Sequence, residues 1–197
     1  MEKRNTLFTP VLISGCLIIL IGFGIRATYG IFQIPISLEY GWPRAEFSLA
    51  IAIQNLAWGF GQPFFGAIAE KIGDRKAIII GAILYSLGLI LSAGATTPIE
   101  HQIYGILVGF GVAGTGFGVI LAVVGRASAD EHRSMSLAIA TAAGSLGQVV
   151  GPPVAVGLLE QMPWQSVFLI FSIAILSTLL LLPFMRAPEM ASKEQIE

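Results

Sequence analysis

Gly66-Ala67-Ile68-Ala69-Glu70-Lys71-Ile72-Gly73-Asp74-Arg75-Lys76 reads as a charged turn between two runs, Phe47 to Ala69 and Ala77 to Ile99, that contain no Asp, Glu, Lys or Arg. Lys71, Arg75 and Lys76 are costly to carry across a bilayer, so the turn stays on the cytoplasmic side and orients the helices beside it. Counting outward gives three further uncharged runs, Gln102 to Gly125, Ser134 to Leu159 and Gln161 to Met185. A sixth run, Asn5 to Ile25, continues past Arg26 to Leu38. Each is at least as long as the ~20 residues needed to cross ~30 Å of hydrocarbon as a helix. The expectation is an all-α integral membrane protein with six transmembrane helices. The alternating ~10-residue segments of a membrane β-barrel are absent.

Composition agrees. Of 197 residues, 55% are hydrophobic and only 12% charged, against roughly 25% charged in a soluble domain. The net charge of −1 leaves no basic surface for nucleic acid, so the expected surroundings are a lipid bilayer. Lys3 and Arg4 ahead of an apolar run superficially suit a secretory signal, but the run is long enough to span and lacks a small-x-small cleavage site. It is expected to be a retained helix. Cys16, the single cysteine, reads as a small apolar helix residue.

Helix parity sorts the cations. Lys3, Arg4, Lys71, Arg75, Lys76, Arg126, Arg133, Arg186 and Lys193 fall on one side, and Arg44 alone on the other. Both termini are therefore expected to be cytoplasmic. Residues 1–8 form an N-terminal tail, 9–185 a six-helix membrane domain, and 186–197 a C-terminal tail or the start of a linker. A multi-pass protein of a bacterial-type cytoplasmic (inner) membrane is the expected setting.

Glycines recur at small-xxx-small spacing, Gly105 and Gly109, Gly114 and Gly118, Gly147 and Gly151, where helices can approach closely. With Pro152 and Pro153 they also permit a bend. Gly109-Phe110-Gly111-Val112-Ala113-Gly114 matches the dinucleotide fingerprint, but lies within an uncharged run instead of between a strand and a helix. Packing explains it better. Gly61-Gln62-Pro63 with Gly66 is echoed by Gly147-Gln148 with Gly151-Pro152, as a three-plus-three inverted repeat would require.

Arg26 is the formal charge well inside a span, where it costs at least ~2.5 kcal/mol on insertion scales. Tyr29 and Gln33 follow it at i+3 and i+7 and are expected on the same face, lining a water-filled cavity. The second helix adds Gln54, Asn55, Trp58 and Gln62, and the fifth adds Thr141, Ser145 and Gln148. A guanidinium donates two parallel hydrogen bonds to a carboxylate, so a small organic anion is the natural ligand. The other reading has Arg26 snorkelling to the interface or bonding backbone carbonyls. His101 and His132 read as solvated loop residues, leaving no Asp, Glu or His within the spans. No metal cluster, cofactor motif, nucleophile elbow or paired carboxylates are visible, so an enzyme is not expected.

Gly66, Ile68, Ala69, Glu70, Lys71, Gly73 and Arg75 resemble the G-x-L-a-D-r-x-G-r-k loop between helices two and three of the major facilitator superfamily, with Asp74 where a cation is usual. Gly144, Gln148, Gly151 and Pro152 resemble its fifth-helix motif, and Trp164 to Phe168 is similar to its W-R-x-x-F entry into helix six. Tyr29-Gly30-Ile31-Phe32, then Tyr40 to Phe47, then Arg133 through Gln148 resemble the monocarboxylate and oxalate/formate transporter-like branch. The resemblance implies half of a major facilitator fold and a gating role for the Gly66 to Arg75 segment. It further implies a substrate held between two six-helix halves, so a second copy or a C-terminal half is the expected partner. A non-transporting membrane protein is the competing expectation.

Overall fold

The computed structural model describes residues 6–187 and is helical throughout. Lys3, Arg4 and Lys193, with most of both tails, lie outside the described residues. Helix α1 (Pro10–Ala27) starts where Thr9 accepts a hydrogen bond from the Leu12 amide at 3.1 Å, with Pro10 in the first turn. The rod does not continue evenly to Leu38. Pro35 cannot donate to the Ile31 carbonyl, and residues Tyr29–Phe32 tighten into a 3-10 turn before α2 (Gln33–Tyr40) resumes. Gly41, left-handed at φ 67°, ends that rod.

Helix α3 (Arg44–Ile72) runs through most of the expected charged turn. The turn itself is Gly73, at φ 96° and ψ 149°, a backbone state open essentially only to glycine. Helix α4 (Asp74–Ala93) follows at once, and α5 (Pro98–Thr115) begins on a capping box between Thr97 and Glu100. Gly116 separates α5 from α6 (Phe117–Ala127) within one rod. Helices α7 (Arg133–Leu159) and α8 (Trp164–Ser177) complete the bundle, α8 closing in a 3-10 segment, Thr178–Phe184, that contains Pro183. The described residues thus form six helical rods. Gly73, the start of α1, the end of α6 and the end of α8 share one end of the bundle; Arg44, the start of α5 and the start of α8 share the other.

Five of these rods are long and apolar enough to cross a membrane by length and composition. The exception is α3, a single α-helix of 29 residues, because Gln54, Asn55, Gln62 and Pro63 dilute its hydropathy. The rod least suited to bare lipid is the one that carries Gln54, Asn55 and Trp58.

Helices pair as α1 with α7, α3 with α5, α4 with α5 and α4 with α8. A Cβ on Gly147 would strike the Leu20 backbone and one on Gly151 the Gly24 carbonyl, so α1 and α7 touch backbone to backbone. Gly109 lies likewise against the Gln54 carbonyl, and Gly111 of the decoy fingerprint against the Tyr85 backbone. The expected close-packing role of these glycines holds. Cys16 is a half-buried free thiol on α1.

Overpacking typically costs 1–3 kcal/mol. Gly147→Leu should therefore lower the thermal midpoint of the detergent-solubilised protein by several degrees, followed by size-exclusion chromatography after heating. Gly59→Ala, where no atom lies within 4 Å of the new Cβ, should leave the midpoint within a degree or two of the parent.

Candidate functional site

The site forms where α1 meets α3. Half-buried Arg26 donates from Nη2 to Asn55 Oδ1, and its guanidinium carbon sits 4.5 Å above the centre of the Trp58 ring. Asn55 and Trp58, three residues apart on α3, lie on one face and grip the cation together. Trp58 packs edge-on to Phe23 at 5.6 Å, and Phe23 in turn lies 4.3 Å from Phe117. Behind them the buried Tyr85 hydroxyl donates to the Gly22 carbonyl at 2.9 Å and anchors α4 to α1.

No carboxylate among the described residues pairs with Arg26. Its Nε, the Trp58 Nε1 and the Gln54 Nε2 are buried donors without a partner. Asn55 and the indole face hold the guanidinium in place but do not neutralise it. An arginine so held still has a net positive charge to offer.

The other expected lining residues are dispersed. The 3-10 turn after Thr28 breaks the i+3 and i+7 alignment, so Tyr29 and Gln33 do not share the Arg26 face. Tyr29 is buried and stacked on Phe168 at 5.6 Å. Gln33 donates to the Arg44 carbonyl at 3.1 Å. Gln54 is buried at the α3–α5 seam, and Gln148 is exposed on α7, as are Thr141 and Ser145. A cavity of about 230 Å³ between α1, α7 and α8, lined by Gly24, Thr28, Gly151, Val154 and Phe171, is apolar and does not include Arg26.

At the opposite end Gly66, Glu70, Lys71 and Gly73 are exposed, the first three on the last turns of α3. Arg75 reaches back to the last rod, donating from Nε to the Met185 carbonyl at 3.0 Å and from Nη2 to the Pro183 carbonyl at 3.1 Å. Both carbonyls lie at the C-terminal end of that rod, where no following helical turn supplies donors, and the arginine supplies them. Asp74, the departure from the usual basic residue, accepts from Arg126 Nη2 at 2.5 Å and ties α4 to the end of α6. Gly144 and Gly147 are buried on the α7 face toward α1; Gly151 and Pro152 are half-buried beside them.

His101 overturns an expectation. It is not a solvated loop residue but a buried member of the first turn of α5, surrounded by aromatic rings. Its single-residue signal was Pro98-Ile99-Glu100 ahead of it, which starts the helix earlier than the charge count suggests.

These features can be set beside known proteins. A model described as the Major Facilitator Superfamily matches residues 15–197. The chain belongs to the major facilitator superfamily. It is 28% identical over 175 residues to the uncharacterized MFS-type transporter YcxA of Bacillus subtilis, covering 87% of this chain and 43% of that protein. It is 29% identical over 151 residues to monocarboxylate transporter 13 of Bos taurus, covering 76% of this chain and 35% of that one. The fold is similar to that of a proton:xylose symporter, with a TM-score of 0.77 at 16% identity over 92% of this chain and 45% of that chain. In each case this chain spans less than half of the longer protein. The likeness to monocarboxylate transporters agrees with the branch suggested by the Tyr29, Tyr40 and Arg133 stretches. All three are named as transporters.

The Asp74–Arg126 pair gives a test of the end that Gly73 occupies. Removing one partner of a largely buried pair leaves an uncompensated charge, so Asp74→Asn and Arg126→Gln should each lower the thermal midpoint, by about 1–3 kcal/mol of stability. The exchange Asp74→Arg with Arg126→Asp should recover most of the loss, as measured by a double-mutant cycle.

Proposed function

We propose that this chain is the N-terminal six-helix unit of a transporter that moves a small organic anion, monocarboxylate- or oxalate-like, by alternating access. The observation that carries the reading is Arg26. It is a membrane-embedded cation held by Asn55 and stacked on Trp58, with no carboxylate of its own among the described residues. A cation at such depth is costly without compensation, and a carboxylate substrate supplies it on entry. Trp58 and Phe23 offer an apolar wall beside the charge for the rest of a small organic acid. The name of the bovine monocarboxylate transporter points to the same substrate class.

The remaining parts follow in this reading. Helix α3 serves as the sixth span, its polar stripe facing the substrate path. Exposed Thr141, Ser145 and Gln148 mark the side of α7 that lines this path, and Gln54 supplies a further donor. Of the other expected lining residues, Tyr29 and Gln33 support the closed end and do not touch the anion. Pairing of α1 with α7 and of α5 with α3 relates the first three rods to the last three as an inverted repeat would. Arg75 with its carbonyl ligands is the latch, and Gly144, Gly151 and Pro152 form the bending segment of α7.

Lys71, Arg75, Lys76, Arg126, Arg133 and Arg186 share the Gly73 end, which is therefore the cytoplasmic one, with both termini on that side. A second six-helix unit, a C-terminal half or another copy, completes the cavity. A bacterial-type inner membrane suits the Bacillus relative.

Saturable quenching of Trp58 emission by acetate, lactate or oxalate in the purified chain tests the proposal. Arg26→Gln should weaken that binding by about 10–100-fold, the equivalent of a charged hydrogen bond, while membrane insertion stays intact. Arg26→Lys should fall between. Undiminished binding in Arg26→Gln removes the role given to the arginine.

A further inference from the structure

The spans hold a second ionisable group that the anion site does not use. His101 is 2% exposed in the first turn of α5. Its ring stacks on Phe47 at 5.3 Å and on Phe168 at 6.1 Å, with Trp42 at 5.9 Å and Tyr29 at 6.5 Å. Those four rings come from four separate places in the chain: the 3-10 turn after α1, the turn before α3, α3 itself and α8. One imidazole therefore joins four segments at the Arg44 end of the bundle. Its Nδ1 has no hydrogen-bond partner.

We propose that His101 is a proton-binding site that keeps the Arg44 end of the bundle packed while the imidazole is neutral and opens it when the imidazole takes up a proton.

Three observations oppose a charge on this ring in the packed state. The ring faces of Phe47 and Phe168 attract a cation, but they accept no conventional hydrogen bond and leave it without water. The first turn of α5 presents the positive end of the helix dipole. Three carboxylates of this end are engaged elsewhere, and Glu160, exposed at the end of α7, makes no ring contact with His101. Glu100 accepts from the Thr96 and Thr97 amides at 2.9 and 3.0 Å, and Glu46, next to Phe47, accepts from Gln102 at 2.7 Å. Glu39 accepts from Trp164 at 2.6 Å and from Gln165 at 3.0 Å. Tyr29 is the titratable side chain in ring contact, its hydroxyl also unpartnered, and the exposed Arg44 adds only positive charge.

Proton uptake and the packed sleeve of rings are thus mutually exclusive, and by linkage a proton that binds must favour the state in which water or a carboxylate reaches His101. Histidine is the side chain whose ordinary titration falls in the range where such a site responds to its surroundings. The ligand is the proton itself, and the site is separate from Arg26.

The test is acrylamide quenching of tryptophan emission from the full chain in lipid nanodiscs between pH 8 and pH 5.5. Trp42, buried beside His101, should become accessible as pH falls, with at least about a twofold rise in quenching along a single sigmoid. The rise should shrink in Trp42→Phe, leaving the share of Trp164, which is buried at the same end against Phe168, vanish in both His101→Phe and His101→Gln, and persist in His132→Gln. A flat wild-type titration overturns the proposal without any variant being needed, as does an unchanged sigmoid in either His101 variant. Arg26→Gln should titrate like the wild type, so a failure of the anion site and a failure of this one are read separately.

Discussion

Helices in a bilayer gain little by hiding apolar side chains from one another, because lipid tails are equally apolar; close contact between backbones has to hold them together. In this chain that constraint is met by glycine. Gly147 and Gly151 bring α7 onto the backbone of α1, while Gly109 and Gly111 let α5 press on α3 with one side and on α4 with another. Helix α5 is consequently the hub of the bundle. Tyr85, bonded to the Gly22 carbonyl, fixes α4 to α1 across that hub, and only because these rods are drawn so close can Asn55 and Trp58 reach Arg26.

The two ends of the bundle are built by different chemistry. At the Gly73 end, charged side chains bridge helices: Asp74 to Arg126, and Arg75 to the terminal carbonyls of Pro183 and Met185. At the Arg44 end aromatic rings, with His101 at the centre of Tyr29, Trp42, Phe47 and Phe168, join the helices alongside hydrogen bonds from neutral donors to Glu39 and Glu46. Salt and pH therefore act on the two ends separately, the first through ion pairs and the second through one imidazole.

The helical membrane fold was legible in the sequence because apolar length is a long-range, additive signal. Close packing by Gly105, Gly109, Gly147 and Gly151 was legible for a similar reason: the spacing alone puts them on one helix face. The site was legible only in part. Arg26 declared itself by charge, and Asn55 and Trp58 by being polar or amphipathic on an apolar helix. Tyr29 and Gln33 were misplaced because the face calculation assumed an unbroken helix, and the 3-10 turn at Tyr29–Phe32 reset the register. His101 was missed because a count of charges does not see where a capped helix begins. The Asp74–Arg126 bridge joins residues 52 apart in the chain, and no local pattern encodes it.

Helix α7 is the least buried of the candidate spans, 17% against 39% or more for the others, and it carries Pro152 and Pro153 in its interior. Neither proline can donate a backbone hydrogen bond, so the carbonyls of Gln148 and Val149, four residues earlier, lose their ordinary helical donors. Both residues are exposed. Two oxygen dipoles without their usual partners make a small electronegative notch beside the Gln148 amide, and hydrocarbon cannot solvate it. Hydration therefore dictates the rotational setting of α7: the notch must be turned toward water or toward another protein surface, never toward the acyl chains.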